Sequence, residues 1–227
     1  MRLFEGKYYG NITPETSWPY IECPQGFKTT KLPNGDRAGR YEVLPGQKLA
    51  GTSGERCEAR TAMGLFPPDS QRWIRWPTFF PTTFVPTPNT RWNIFTQLHQ
   101  KPGLPGSPNI ELHVNTLDPT YTCLELYVKG GKPAANGLPP VGTIPLGQLE
   151  IGTLHRFVLE IHLGHEQGLV NAFVDDEFRG SVAEPNLYTD DDEGLYLKQG
   201  FYRPDNGPPT RIVHGPIVVG ETYEDVL

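Results

Sequence analysis

Gln97 and His99 stand two residues apart in F-T-Q-L-H-Q, residues 95–100, a run of strand-forming character. A strand alternates its faces, so both point one way while Thr96, Leu98 and Gln100 point the other. An amide beside an imidazole can hold an anion and accept a proton. Two further runs follow the same grammar. In R-C-E-A-R, residues 56–60, Arg56, Glu58 and Arg60 share one face, backed by Cys57 and Ala59. In Y-L-K-Q-G-F-Y, residues 196–202, Tyr196, Lys198, Gly200 and Tyr202 share one face. Leu197 and Phe201 back it, with Gln199 interrupting the apolar row. Any one of these strands reads equally as a solvated sheet face. Converging arginine, glutamine, histidine, lysine and tyrosine instead form a site for anions and proton transfer. Gly200 adds to this, because a glycine inside a strand marks close approach by a ligand or another backbone.

The elements that must position these residues are short strands. Runs rich in aromatic and β-branched residues fall near 39–45, 55–62, 72–80, 91–99, 109–115 and 121–128. Others fall near 155–163, 169–175, 178–183, 194–203 and 211–219. Helical periodicity is almost absent, and 101–108, 129–142 and 204–209 read as loops. The pattern predicts an all-β chain: a jelly-roll β-sandwich of two antiparallel sheets, one of them concave. With no linker dividing them, the 227 residues are expected to form one domain.

Lys and Arg number 20 against 26 Asp and Glu, a net charge of −6, which argues against nonspecific nucleic-acid binding. A local basic groove remains compatible, because the residues lining a cleft set its field. The chain has no apolar run long enough to span a membrane. The three cysteines, Cys23, Cys57 and Cys123, have no zinc-type spacing; one disulfide plus a thiol, or three thiols, both fit. Asn11-Ile12-Thr13 fits a glycosylation sequon.

R-x-E-x-R, then Q-x-H, then Y-x-K-x-G-x-Y, in that order, resembles the motif set of the jelly-roll polysaccharide lyases. The alginate lyases carry all three; the glucuronan lyases and, more distantly, heparin lyase-like proteins share the last two. W-I-R-W-P-T-F-F-P (73–81), W-N-I-F-T-Q-L-H (92–99) and G-F-Y-R (200–203) are most similar to the glucuronan lyase family. The resemblance covers roughly residues 40–220 and implies the concanavalin A-like jelly roll.

It also implies β-elimination on an anionic uronic-acid polysaccharide. The proton beside the sugar carboxylate is barely acidic while that carboxylate is negative, so the enzyme must neutralise it and supply a base and an acid. Carried over residue by residue, Gln97 and Arg60 or Arg56 meet the carboxylate. Tyr202 transfers protons, either alone or with His99 as base, and a basic neighbour, Lys198 or an arginine, favours its phenolate. Lys198, Tyr196 and His113 are the remaining substrate-binding candidates, and Glu58 is expected to hold Arg56, Arg60 or Lys198. His155, His162, His165 and His214 lack motif support. No cofactor is required. A structural calcium could use T-D-D-D-E, residues 189–193, although the acidic residue the family pattern places near Gly215 is missing.

An endo-acting glucuronan lyase is the leading expectation, with an alginate or heparin-type lyase next. A glycoside hydrolase would need two facing carboxylates, but the acids of V-D-D-E-F (174–178) read as a hairpin turn. A noncatalytic carbohydrate-binding jelly roll would need the groove without the glutamine, histidine and tyrosine. A monomer is expected. The polymer substrate implies secretion, although M-R-L-F-E-G-K-Y-Y-G lacks the apolar core of a signal peptide.

Overall fold

The computed structural model describes residues 1–8, 18–23, 25–49, 51–118, 120–133 and 140–227. The Asn11 sequon, and residues 134–139 of the loop expected over 129–142, lie outside them. In chain order the strands are β1 (Arg2–Gly6), β2 (Tyr20–Ile21), β3 (Phe27–Lys31), β4 (Arg37–Val43), β5 (Glu55–Arg60) and β6 (Gln71–Phe79). Next come β7 (Ile94–His99), β8 (Ile110–Asn115), β9 (Cys123–Val128), β10 (Gly142–Gln148), β11 (Leu154–His162) and β12 (Leu169–Val174). The last are β13 (Glu177–Val182), β14 (Tyr196–Arg203), β15 (Thr210–His214) and β16 (Ile217–Gly220), followed by a 3-10 turn over Glu224–Val226. No described helix is long and apolar enough to cross a membrane.

The strands form two antiparallel sheets, the sandwich predicted from the alternation. One runs β13-β12-β11-β6-β15-β4-β3, with β16 also on β6 and β1 on β16. The other runs β10-β9-β8-β7-β14-β5-β2 and carries all three motif strands side by side, β5, β14 and β7. Strand β14 lies between β5 and β7, so the late Y-x-K-x-G-x-Y run is flanked by the two earlier motifs.

Aromatic residues from both sheets interlock in the core. Trp76 of β6 stacks on Phe157 of β11 at 5.4 Å between centroids, and Phe157 meets Phe95 of β7 at 5.4 Å. Phe201 of β14 packs against Phe84 at 5.4 Å. These contacts hold the apolar side of the motif strands against the larger sheet and so aim their polar side outward. The acids of V-D-D-E-F do form a hairpin turn: Asp175 and Asp176 both have positive φ, 53° and 66°, between β12 and β13.

The unforeseen strands β1, β2, β3 and β10 are peripheral. β2, β3 and β10 end their sheets, and β1 pairs only with β16. β10 reads G-T-I-P-L-G-Q; its Pro145 lacks an N–H, which an edge strand tolerates. The run expected over 211–219 divides into β15 and β16 at Gly215-Pro216.

Cys23 and Cys57 form a disulfide, with Cα atoms 5.0 Å apart across a 34-residue separation, and Cys123 is free. The bridge pins the β2 segment to β5, where Glu22 N–H also donates to the Glu58 carbonyl at 2.8 Å. Closing a loop of this length typically contributes about 2–4 kcal/mol. Adding dithiothreitol is therefore expected to lower the thermal midpoint, and melts that superimpose with and without reductant would contradict this.

Candidate active site

The polar side of the motif strands is not a wet sheet face. Glu58, Gln97 and Lys198 are each at most 2% exposed. Charges so buried must be paired. Lys198 Nζ lies 2.7 Å from Glu58 and 2.9 Å from Glu22, and Arg56 Nη1 lies 3.7 Å from Glu58. Burial alone would push the Glu58 carboxyl up; Lys198 and Arg56 outweigh it and hold it below the usual carboxylate range. Burial likewise disfavours the Lys198 ammonium, and Glu58 and Glu22 more than restore it.

The Gln97 amide nitrogen donates to Glu58. An ionised carboxylate only accepts, so Glu58 fixes which end of the amide faces it. Gln97 Oε1 is buried without a hydrogen-bond partner among the described residues.

Beside this network a trough of about 620 Å³ opens over β5, β14, β7, β8 and β9. Arg56, Gln97, His99, His113 and Tyr202 line it together. Arg60, Lys198 and Tyr196 do not. Lys198 is engaged by its two carboxylates, Arg60 sits 3.7 Å from Glu22 and over the Tyr20 ring at 4.0 Å, and Tyr196 stacks on the His99 ring at 5.4 Å. Gly200 is a point of backbone contact: a Cβ there would stand 2.1 Å from the Cys57 carbonyl oxygen.

Tyr202 is held by its ring. The Arg56 guanidinium lies 3.8 Å from the ring centroid, and Trp92 packs edge-on at 5.1 Å. Its hydroxyl is 3.1 Å from Ser53 Oγ, while Arg56 Nη2 donates to the Ser53 carbonyl at 2.8 Å. The basic neighbour of Tyr202 is therefore Arg56 rather than Lys198.

His99 Nδ1 lies 3.0 Å from the Gln100 carbonyl, so Nδ1 carries the proton and Nε2 keeps a lone pair. Burial, foremost, lowers its pKa from 6.5 to about 4, against the pull of the Gln100 bond. An unfolded histidine binds its proton near 6.5 and folded His99 only near 4. Between these values the unfolded state holds more protons, so stability falls as pH drops through the window. The urea midpoint is expected to decline from pH 6.5 toward pH 4, and a flat profile there would contradict the burial of the ring.

Sequence reasoning missed Ser53, Arg91, Trp92, Glu111, Tyr127 and Lys129, which also line the trough. Part of this was visible: Glu125, Tyr127 and Lys129 alternate in E-L-Y-V-K as the motif residues do. Glu111 is 2.7 Å from His113 Nε2 and 2.8 Å from Lys129 Nζ, while His113 Nδ1 faces the Arg91 carbonyl at 2.5 Å. Both nitrogens of His113 are thus occupied by protein. Lys129 also bonds Ser107 at 3.1 Å, leaving one of its three N–H groups for a ligand. Three cations, Arg56, Arg91 and Lys129, face one lining carboxylate, Glu111. The trough therefore favours anions although the whole chain is acidic.

Among the described residues no three His, Cys, Asp or Glu side chains converge as a metal site would. In the acidic run, Asp191 accepts from the Gly194 N–H at 3.0 Å and Asp192 pairs with Lys101.

Comparison with known proteins matches this architecture. No curated protein sequence matches the chain. The endo-β-1,4-glucuronan lyase of the fungus Trichoderma reesei superposes with a TM-score of 0.74 at 16% identity, over 100% of this chain and 98% of that one. Family 7 alginate lyase A1-II′, in complex with substrate, gives 0.60 at 17% identity over 87% and 82%. Alginate lyase Aly36B with an alginate trisaccharide gives 0.59 at 12% over 82% of each chain. A family model described as polysaccharide lyase matches residues 15–217. The jelly-roll sandwich and this match across most of the sequence make the chain a member of the polysaccharide lyase family, and an enzyme.

Proposed function

We propose that the chain is an endo-acting lyase of β-1,4-linked glucuronan. The observation carrying this is that Tyr202, Gln97 and His99, from two adjacent strands, line one cationic trough. The likeness to the fungal glucuronan lyase over the full chain supports that substrate.

In this reading Arg56 and the second N–H of Gln97 take the uronate carboxylate, offsetting the charge that builds when the adjacent C–H proton leaves. In β-1,4-linked glucuronate that hydrogen and the departing oxygen lie on the same face of the ring. One residue can therefore take the proton and return it. Tyr202 does both, its ring held in place by the Arg56 guanidinium. His99 offers only a lone pair at Nε2, so it assists as an acceptor and does not deliver the proton. Lys129 holds the carboxylate of a neighbouring sugar. Lys198, Arg60 and Tyr196 hold the floor of the site instead of touching sugar. No metal or cofactor enters these steps. The disulfide fits an oxidising, extracellular compartment.

Glucuronan, alginate and heparin are to be incubated separately with the protein while following the ultraviolet absorbance of the conjugated unsaturated uronate. Glucuronan is expected to give the signal, with a falling ladder of oligomers on size analysis. Signal from alginate alone would overturn the substrate and keep the chemistry. Polymer binding without any signal would leave a noncatalytic carbohydrate-binding domain.

A further inference from the structure

His214 closes β15, in the sheet opposite the trough, and its ring is fully buried. A buried imidazole needs partners for both nitrogens. Nε2 lies 3.0 Å from the Gly200 carbonyl oxygen, and Nδ1 lies 2.9 Å from Thr78 Oγ1. A carbonyl only accepts, so Nε2 carries the hydrogen and Nδ1 accepts from the Thr78 hydroxyl. Burial lowers the ring's pKa to about 3, so it stays neutral. Phe95 stacks on the ring at 6.4 Å and Tyr41 meets its edge at 5.5 Å, which fixes its rotation.

The bond reaches across the core to a special point of the motif strand. Gly200 has a φ of +154°, and the space a Cβ would need is taken by the backbone of β5. On its other side β14 slips against β7: Gln199 faces Thr96, whereas Tyr202 faces Ile94. Three steps along β14 thus match two along β7, a bulge that leaves Gly200 without a partner in the β7 register. Strand β14 keeps its alternation and its register with β5 through Tyr202, so the bulge offsets β14 along β7 and sets where Tyr202 stands relative to Gln97 and His99.

We infer that His214 is a positioning residue for catalysis: by anchoring the Gly200 carbonyl to the opposite sheet through Thr78, it sets the bulge that fixes where Tyr202 stands beside Gln97 and His99 in the trough. This rests on the role given to Tyr202 above. A residue with no contact to the trough would then control turnover without touching the polymer.

The test compares His214→Phe, which keeps a ring but removes both nitrogens, with His214→Gln, which restores an N–H donor. Both are assayed on the substrate polymer below their own melting temperatures. His214→Phe is expected to lower kcat about ten- to hundredfold with KM changed less than about twofold, and His214→Gln to recover most of kcat. In wild type, long-range ¹⁵N correlation is expected to show the neutral Nε2–H tautomer near neutral pH. Unchanged kcat in a folded His214→Phe protein, or an Nδ1–H tautomer in wild type, overturns the inference. Should His214→Phe not fold, Thr78→Val, which removes only the far hydroxyl, decides with the tautomer spectrum; it is expected to lower kcat several-fold, and wild-type kcat counts against the inference. If Tyr202→Phe stays active, the underlying reading fails. If Tyr202→Phe is inactive and His214→Phe is fully active, this inference fails alone.

Discussion

Tyr202→Phe is expected to reduce formation of the unsaturated uronate by about a hundred- to ten-thousandfold, the range typical for losing a positioned acid–base group. The fold should be little affected. The ring stays, and with it the Arg56 contact at 3.8 Å and the Trp92 edge at 5.1 Å. Only the bond between the hydroxyl and Ser53 is lost, worth about 1 kcal/mol or less. Polymer affinity, read by gel retardation in immobilised polysaccharide, should persist because Arg56, Arg91 and Lys129 remain in the trough. Dead catalysis with intact binding and melting would assign the proton transfer to this oxygen. Near-normal turnover would remove Tyr202 from the chemistry.

Glu58→Leu is expected to damage both stability and catalysis. Removing one member of a buried ionic network typically costs about 3–5 kcal/mol, because the partner charges remain buried. The lower end applies, since Lys198 keeps Glu22 at 2.9 Å. Turnover should fall by about a hundred- to a thousandfold at temperatures where the variant is folded, the scale for a misplaced transition-state donor. The reason is orientation: without the carboxylate nothing fixes the Gln97 amide, and Arg56 loses an anchor. Chemical denaturation gives the first effect and initial rates give the second. A stable variant with wild-type turnover would mean that Glu58 neither holds the charges nor sets the amide.

Much of the fold was legible because the central strands alternate over most of their length. β5, β7 and β14 each back a polar row with residues that fill the core, and their order in the sequence carried the family. Peripheral strands were less legible. β2 has two residues, and β10 is interrupted by glycine and proline, which weakens the periodicity on which such reading depends. Within the site, strand alternation placed Arg56, Gln97, His99 and Tyr202 correctly on one side. Alternation says only which side of a sheet a residue takes. Whether it reaches the trough depends on lateral position: Arg60 and Lys198 lie toward the β2 segment, where Glu22 and Tyr20 occupy them, and Tyr196 is stacked on His99. Glu22 lies in a segment with no strand signal, so its claim on Lys198 was invisible. His214 was passed over for a similar reason: its partner is a backbone carbonyl in the other sheet, and no side-chain motif encodes that.

The place of β14 has a consequence for biosynthesis. Its neighbours β7 and β5 emerge from the ribosome roughly a hundred and roughly a hundred and forty residues earlier and must wait with bare hydrogen-bonding edges until it arrives to join them. Pairings this distant along the chain are slow to form. The nascent protein is therefore most vulnerable to clumping in the interval before β14 is made, and catalytic competence waits for that strand.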